Sequence, residues 1–313
     1  MKNIAVIGAG YWGKNLIRNF YELGVLKYIF DESLDARTQQ QDIYGIADAD
    51  FESILADSEI QGVVISTPAH THYEIAKDCL LKGKNVFIEK PICLNLVDAL
   101  DLKKISEDKD KILMVGHLLN YHNHFIKLLN IVDKNMLGNL IRIKSSRKSY
   151  GKLRENENVI WSFAPHDISM INRIVKGEIK NLSVQKNSYF NSNCDSAFIS
   201  YNQSGVKIEI DVDWASITKK HKLEVFFSDG ILVFEDSEQD ENHKLYLIKT
   251  KFEKDNLMIK NKLEKEYIVV EESQPLLNEC KHFLECMKDN KKPITDSDES
   301  INVLKILIAT DEF

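Results

Sequence analysis

Two hydrophobic patterns divide the chain near residue 118. Up to that point, short continuous apolar runs, typical of strands buried on both faces, alternate with stretches whose apolar residues recur at helical spacing. The strands are predicted at residues 4–7, 28–30, 62–66, 86–88 and 112–115. Strands separated by helices indicate right-handed crossovers, so this part of the chain is predicted to form one doubly wound parallel sheet of the α/β class.

The pattern changes after residue 118, where apolar and polar residues alternate in successive short runs. Strands are predicted at residues 141–144, 182–189, 197–201, 206–214, 223–227, 231–234 and 245–248. Runs of strands with few helices between them indicate a large, mostly antiparallel sheet in an α+β domain. One face of such a sheet is often free for partners, which favours a homodimer or homotetramer.

We therefore expect two domains, residues 1–118 and residues 119–313. Two helices are predicted at the end of the chain, one from Pro275 and one from Asp296. These last helices can pack back on the first domain.

The composition narrows the class of protein. The 313 residues are 43% hydrophobic and 28% charged, as in globular proteins, and the net charge of −7 argues against a nucleic-acid partner. The first residues lead directly into a strand, and no apolar run approaches the about 20 residues of a membrane span. We expect a cytoplasmic protein without a membrane partner. The five cysteines have no metal spacing and are predicted to be free thiols.

A glycine-rich turn directly follows the first strand. Its glycines fit the pattern G-x-G-x-x-G, and two aromatic residues lie inside it: Gly8, Gly10, Tyr11, Trp12 and Gly13. In this pattern the first glycine makes a tight turn, the second lets the backbone approach a pyrophosphate, and the third lets the next helix pack against the strand. The turn therefore predicts a Rossmann domain that binds a dinucleotide.

An acidic residue stands at the end of the second predicted strand. Asp31 lies close to the position, about 20 residues beyond the glycines, where such domains carry the acid that binds the adenosine ribose. Glu32 follows it, and two acids together repel the extra phosphate of NADP. NAD is therefore the predicted cofactor.

The loops after the third, fourth and fifth strands are expected to lie side by side, because the carboxyl ends of parallel strands share one edge. Lys90 follows its strand directly and precedes Pro91, which cannot continue a ladder of hydrogen bonds. We interpret these loops as the lining of the nicotinamide site. His70 and His72 have no acid or cysteine at metal spacing, so no metal is predicted. The loops contain Thr67, Pro68, His70, His72, Glu89, Lys90 and His117.

Two features of the second half suggest chemistry. A basic run without acids contains Arg142, Lys144, Arg147, Lys148, Lys152 and Arg154, and it is either an anion-binding strand or a solvated one. Farther on, Pro165 is suited to the first turn of a helix, which would place His166 at the positive end of the helix dipole. A neutral histidine there can accept a proton; the alternative is a capping or packing histidine.

The motifs occur in a recognisable order. The glycine turn is followed by Glu89-Lys90-Pro91, then Gly116-His117, then Ala164-Pro165-His166-Asp167. Over essentially its whole length the chain resembles the glucose–fructose oxidoreductase, inositol dehydrogenase and MocA family, abbreviated Gfo/Idh/MocA. The resemblance implies that Lys90 and His166 are the catalytic residues. It also implies substrate contacts from His117, Asn120, Tyr121, Arg147, Arg154, Trp161 and Asp167.

The chain departs from the family at one position of interest. The family commonly has an aspartate four residues before its histidine, and here that residue is Ser162. Asp167 or water is then left to orient His166.

Within the family, the sequence at residues 9–15, 120–122 and 161–167 looks most similar to the branch that oxidises the C3 hydroxyl of UDP-N-acetylglucosamine or of its uronic acid. The resemblance implies that the ketone passes to a pyridoxal-phosphate aminotransferase, which makes 3-amino sugars for lipid A or O-antigen. The alternatives are a polyol or aldose dehydrogenase and an NAD-responsive binding module that lacks the chemistry.

Overall fold

A computed structural model describes residues 2–150, 157–190, 193–250 and 264–313. These residues form two compact units. The first contains Met1–Leu118 and Pro275–Lys305, and the second contains Leu119–Gln274 and Ile306–Phe313. No helix among the described residues is both long enough and apolar enough to span a bilayer.

The first unit contains a five-stranded sheet in which all neighbouring strands are parallel, in the order β2-β1-β3-β4-β5. Its strands are β1 (Ile4–Ile7), β2 (Leu26–Phe30), β3 (Gly62–Ile65), β4 (Asn85–Glu89) and β5 (Leu113–Gly116). Its helices are α1 (Gly13–Glu22), α2 (Leu34–Tyr44), α3 (Phe51–Ala56), α4 (His72–Leu81) and α5 (Leu96–Asp108). These parallel pairings confirm the predicted sheet. Each strand begins within about two residues of the apolar run that predicted it.

A helix from late in the chain completes the core of this unit. Helix α8 (Pro275–Asp289) packs on α1, and the ring of its Phe283 lies 5.7 Å from that of Phe87 in β4. Gly62 leaves the room that Met287 fills, since a Cβ on this glycine would lie 2.8 Å from the methionine sulfur. The end of the chain therefore contributes directly to the domain that its beginning forms.

The second unit contains an eight-stranded sheet in the order β13-β12-β11-β10-β6-β9-β8-β7. Only β6 and β9 pair in parallel among these strands, so the predicted mostly antiparallel sheet is confirmed. The strands are β6 (Leu140–Tyr150), β7 (Ile179–Asn187), β8 (Ser196–Gln203), β9 (Val206–Asp213), β10 (Ala215–Phe227), β11 (Gly230–Glu235), β12 (Leu245–Lys249) and β13 (Lys265–Tyr267).

The remaining helices are α6 (Asn123–Asp133), α7 (Val159–Ile174) and α9 (Ser297–Asp311). Helix α7 packs on β6, β8 and β9, and every second residue of β8 and β9 is buried. Helix α9 contributes its residues up to Lys305 to the first unit and the rest to the second.

Helix α7 begins six residues earlier than its proline predicts. The side chain of Asn158 caps the helix by accepting a hydrogen bond from the amide of Trp161, at 3.0 Å. Pro165 lies inside the helix, so His166 is in its middle and not in the first turn. The prediction that the helix dipole acts on His166 is therefore wrong. The helix starts earlier because an asparagine caps it and because the next two residues, Val159 and Ile160, are buried.

Candidate active site

The glycine turn between β1 and α1 has no room for side chains at two positions. A Cβ on Gly13 would lie 2.0 Å from the carbonyl oxygen of Gly8. Gly8 itself has a φ of +99°, and a Cβ there would lie 2.7 Å from the backbone of Ser66. Gly10 differs, because the space beside it is open, as is needed where a pyrophosphate approaches the backbone.

The amino end of α1 is suited to an anion. Trp12 precedes the helix without capping it through a side-chain hydrogen bond, and the first turn carries no acidic residue. The amide groups and the dipole of such a helix end attract phosphate oxygens. Gly8, Gly10 and Gly13 therefore fit the diphosphate of a dinucleotide.

Asp31, the residue after β2, ties the glycine turn to the neighbouring strand. One carboxylate oxygen accepts a hydrogen bond from the amide of Ala9 at 2.7 Å, and the other accepts one from the amide of Ser33 at 2.8 Å. Each oxygen retains a second lone pair. The residue is half-buried, so these lone pairs suit the two hydroxyls of a ribose.

We expect replacement of Asp31 by alanine to weaken NAD binding about 10- to 100-fold, since a hydrogen bond to a charged group contributes about 1.5–3 kcal/mol. Titration calorimetry with NAD measures this directly. Asp35→Ala, an exposed acid in the first turn of α2, is the matched control and should bind NAD normally. Unchanged affinity in Asp31→Ala would contradict the assignment.

The loops that follow β3, β4 and β5 meet, as predicted. The two ring nitrogens of His72 lie 2.9 Å from the carbonyl oxygen of Thr67 and 2.8 Å from that of Pro91. A Cβ on Gly116 would lie 3.0 Å from the carboxyl group of Glu89. The loops therefore form one continuous edge of the sheet.

Residues of this edge have different surroundings. His72 is buried and bridges two loops, and burial lowers its pKa. Pro68 and His70 are exposed, and the hydroxyl of Thr71 donates to that of Thr67 at 2.7 Å. His72 thus supports the loops, whereas the exposed residues of the first loop are free to face a cofactor.

Lys90 follows β4 directly, at the carboxyl edge of the sheet. The carboxylate of the preceding residue, Glu89, accepts hydrogen bonds from the indole of Trp12 and, at 3.3 Å, from the amide of Lys90. Lys90 is therefore linked to the glycine turn through one side chain. His117, just beyond β5, is buried; its Nε2 lies 3.6 Å from Glu299, and burial lowers its pKa.

In the second unit, His166 is half-buried in the middle of α7. The next residue, Asp167, is buried and bound to the sheet. Its carboxylate accepts hydrogen bonds from Arg147 Nε at 2.9 Å and from the Ser145 hydroxyl at 2.6 Å. Asp167 is thus hydrogen-bonded to side chains of β6, so it is a weaker candidate for the residue that orients His166.

The basic run is largely neutralised by acids from elsewhere in the chain. Arg142 pairs with Glu209 and Lys148 with Asp211, both on the neighbouring strand β9, and Arg147 pairs with Asp167. Neither of the two alternatives, an anion-binding strand or a solvated one, includes these three ion pairs, because the sequence shows the charges along one strand and not across the sheet. Lys152 and Arg154 lie outside the described residues.

Three residues that the resemblance assigns to substrate contacts are buried or hydrogen-bonded within the protein. Asn120 is buried and donates to the hydroxyl of Ser169 at 2.6 Å, and Tyr121 is also buried. The indole of Trp161 donates to Asp311 near the end of α9, at 3.1 Å. Among these, Trp161 is partly exposed and retains a surface for a ligand.

Sequence reasoning missed a second polar cluster in this unit. Asp236 has one carboxylate oxygen 3.5 Å from His122 and the other 3.5 Å from His221. Burial lowers the pKa of His122 to about 4. Because the three residues are far apart in the chain, no local pattern signals the cluster. In the described ranges, no group of three or more histidine, cysteine or acidic side chains, this one included, is arranged so that it could hold a metal ion.

A parallel sheet with a glycine turn after β1 and an acid after β2 defines a dinucleotide-binding domain of the Rossmann type. Residues 2–117 match the family described as "Oxidoreductase family, NAD-binding Rossmann fold", the Gfo/Idh/MocA family. This part of the chain is therefore similar to the NAD-binding domain of that family, and its cofactor is NAD. The predicted resemblance is confirmed for residues 2–117, as is the predicted cofactor.

Similar proteins cover more of the chain. A 2,7-anhydro-N-acetylneuraminate hydratase of Escherichia coli (strain K12) is 23% identical over 190 residues, which are 57% of this chain and 50% of the relative. A myo-inositol 2-dehydrogenase of Thermotoga maritima is 26% identical over 188 residues, 57% of this chain and 56% of the relative. The match thus spans about half the length of these relatives.

A similar fold extends through both units. The structure of UDP-N-acetylglucosamine 3-dehydrogenase GnnA from Acidithiobacillus ferrooxidans superposes with a TM-score of 0.86 at 18% identity, covering 98% of this chain and 95% of that chain. At this identity the likeness establishes the fold alone.

Proposed function

We propose that the protein oxidises the C3 hydroxyl of UDP-N-acetylglucosamine to the 3-keto sugar with NAD. The observation that carries the proposal is the position of Lys90, which ends β4 at the cofactor edge and is linked through Glu89 to the glycine turn. The fold shared with GnnA, whose name states this activity, supports the choice of sugar nucleotide.

Oxidation of an alcohol requires that a proton leave oxygen as hydride leaves carbon. When bound, NAD accepts the hydride. We propose that His166, a half-buried imidazole on α7, accepts the proton. The Lys90 ammonium then stabilises the developing alkoxide. The reverse assignment, with Lys90 as base, is distinguished experimentally below.

The ion pairs change where the diphosphate of the substrate is expected to bind. Ser145 and Arg147 point from β6 to helix α7, whereas Arg142 and Lys148 alternate to the opposite face of the strand. Since Arg147 is bound to Asp167, the described part of the basic run offers no free guanidinium beside α7. Arg154, which lies outside the described residues, is the remaining arginine proposed to hold the diphosphate.

The purified protein with NAD and a panel of substrates tests this proposal. Formation of reduced nicotinamide is followed by absorbance with UDP-N-acetylglucosamine, its uronic acid, UDP-glucose and free inositols, with a carbonyl trap to draw the oxidation forward. We expect the fastest reduction with UDP-N-acetylglucosamine. Reduction with the uronic acid alone would shift the assignment to that substrate.

A polyol or aldose dehydrogenase is the second candidate. The pairing of Arg142, Arg147 and Lys148 with acids favours it, because a free polyol needs no diphosphate site. The myo-inositol 2-dehydrogenase relative is consistent with it. In the panel, this candidate predicts reduction of NAD by free inositols and none by UDP-sugars.

The proposal also gives the protein a place in a reaction sequence. A 3-keto nucleotide sugar is the substrate that a pyridoxal-phosphate aminotransferase converts into a 3-amino sugar, as in the synthesis of lipid A or O-antigen. We propose such an aminotransferase as the enzyme that consumes the product in the cytoplasm, and a homodimer or homotetramer as the working assembly.

A further inference from the structure

Helix α8 buries a carboxyl group for which the described residues supply no counter-charge. Glu279 is completely buried, and neither of its carboxyl oxygens has a hydrogen-bond partner among the described residues. Burial, together with the negative charge of Glu89, raises its pKa well above the usual range. Glu279 therefore keeps its proton at neutral pH, since an isolated buried carboxylate is too costly.

Glu89 is the neighbour of this group, because Phe283, one helical turn beyond Glu279, packs on Phe87, which lies on the same side of β4 as Glu89. Glu89 has the hydrogen-bond donors that Glu279 lacks. Trp12 donates to its carboxylate, the amide of Lys90 also donates, and the Lys90 ammonium is close enough to favour its charge. Part of the residue reaches the surface, but the carboxyl group is enclosed. Its burial raises the pKa to about 7, although the Trp12 bond and Lys90 oppose this rise.

Two neighbouring buried carboxyl groups resist ionising together, so the pair gains one negative charge, and not two, as the pH rises through neutrality. The hydrogen-bond donors around each carboxyl group decide which residue holds this charge. Glu89 has two N–H donors and a cation, whereas Glu279 has none in the described structure. The charge therefore resides on Glu89 and the proton on Glu279.

The sheet order puts Glu89 on the nicotinamide side of the cofactor. A dinucleotide binds across the switch point of the sheet, with one nucleotide on each half. Asp31, at the end of β2, marks the adenosine half, and β1 and β3 separate it from β4, which ends at Glu89. The nicotinamide ring is positively charged in NAD+ and neutral in NADH.

We propose that the buried pair of Glu89 and Glu279 holds a single negative charge on Glu89, and that this charge makes the cofactor site prefer NAD+ over NADH. The inference rests on NAD binding and not on the identity of the substrate. It assigns Glu89 a role in setting the redox preference of the bound cofactor, in addition to its contact with Trp12.

Few other titratable groups face the pair. Cys280 on α8 lies near both carboxyls, and burial, followed by their charges, raises its pKa well above the usual range. His72 and His117 face Lys90, and burial lowers the pKa of each. The cysteine therefore stays protonated and the histidines stay neutral near pH 7, where Glu89 gains its charge.

The experiment measures the dissociation constants of NAD+ and NADH by titration calorimetry between about pH 6 and pH 8.5. As Glu89 ionises through pH 7, the preference for NAD+ over NADH should rise about tenfold, or about 1.4 kcal/mol. Glu89→Gln, whose amide oxygen can still accept from Trp12, should hold the ratio at its low-pH value throughout. Glu279→Gln should retain the rise, and Glu285→Gln, an exposed acid on the same helix, is the matched control.

Three outcomes would overturn the inference. One is a wild-type ratio that does not change with pH. The second is a Glu89→Gln protein that still shows the rise. The third is a Glu279→Gln protein that loses the rise, which would show that the charge does not reside on Glu89 alone. None of these results depends on turnover of a UDP-sugar, so the substrate assignment stands or fails separately.

Discussion

Alanine at His166 or at Lys90 is expected to lower kcat about 10²- to 10⁴-fold while NAD binds nearly as in the wild type. The loss corresponds to about 3–5 kcal/mol of barrier, since each factor of ten is about 1.4 kcal/mol. The physical reason is that a hydroxyl cannot lose hydride without losing its proton and without stabilisation of the alkoxide. Steady-state rates of reduced-nicotinamide formation with UDP-N-acetylglucosamine, together with calorimetry for NAD, measure the two effects.

Two further variants separate the roles of these residues. Lys90→Arg keeps the positive charge but cannot act as a base, because guanidinium does not deprotonate in proteins. If Lys90 only stabilises the alkoxide, this variant should retain part of its activity. If His166 is the base, added imidazole should restore part of the activity of His166→Ala.

The controls are exposed residues of the same types. Lys104→Ala on α5 and His243→Ala in the second unit should turn over at the wild-type rate. Wild-type kcat in both His166→Ala and Lys90→Ala would contradict the assignment of the catalytic residues.

Methionine at Arg147 is expected to destabilise the second unit by about 3–5 kcal/mol, because it leaves the buried carboxylate of Asp167 without its partner. The side chains of this pair are only 7% and 1% exposed. Among the described residues, the Ser145 hydroxyl would remain as the donor to Asp167. Urea denaturation followed by tryptophan fluorescence measures the change, since Trp161 and Trp214 belong to the second unit and Trp214 is buried.

Arg142→Met provides the matched control for this experiment. Its side chain is 40% exposed in the pair with Glu209, and such surface pairs contribute about 0–1 kcal/mol. Arg147→Met combined with Asp167→Leu should recover much of the loss, because an apolar pair removes both buried charges. A loss in Arg147→Met no larger than in Arg142→Met would show that Asp167 is not held as described.

The first unit was largely predictable because its signals are local. Apolar runs marked the strands, and the glycine turn, Asp31 and Lys90 stand directly after strands whose carboxyl ends must share an edge. Helix α2 was missed because it buries mainly Gln40 and Gln41, so it has no apolar stripe. The signal for its start is the capping side chain of Ser33, whose hydroxyl accepts a hydrogen bond from the amide of Ala36.

The second unit was less predictable where partners come from distant parts of the chain. Arg142 and Glu209 are neighbours across β6 and β9 although they are 67 residues apart. The same reason hides the link between Glu89 and Glu279, which requires α8 to pack on the first unit. Sequence identified the residue types suited to the chemistry, whereas ion pairing and burial decide which of them are available.

Transfer of the C3 hydrogen is the most direct test of the proposed reaction. UDP-N-acetylglucosamine deuterated at C3 is incubated with the protein and NAD, and the reduced cofactor is examined by mass spectrometry and proton NMR. The account predicts that deuterium appears at C4 of the nicotinamide ring and that the rate falls relative to the unlabelled sugar. Reduced cofactor without deuterium, or no reduction at all, would contradict it.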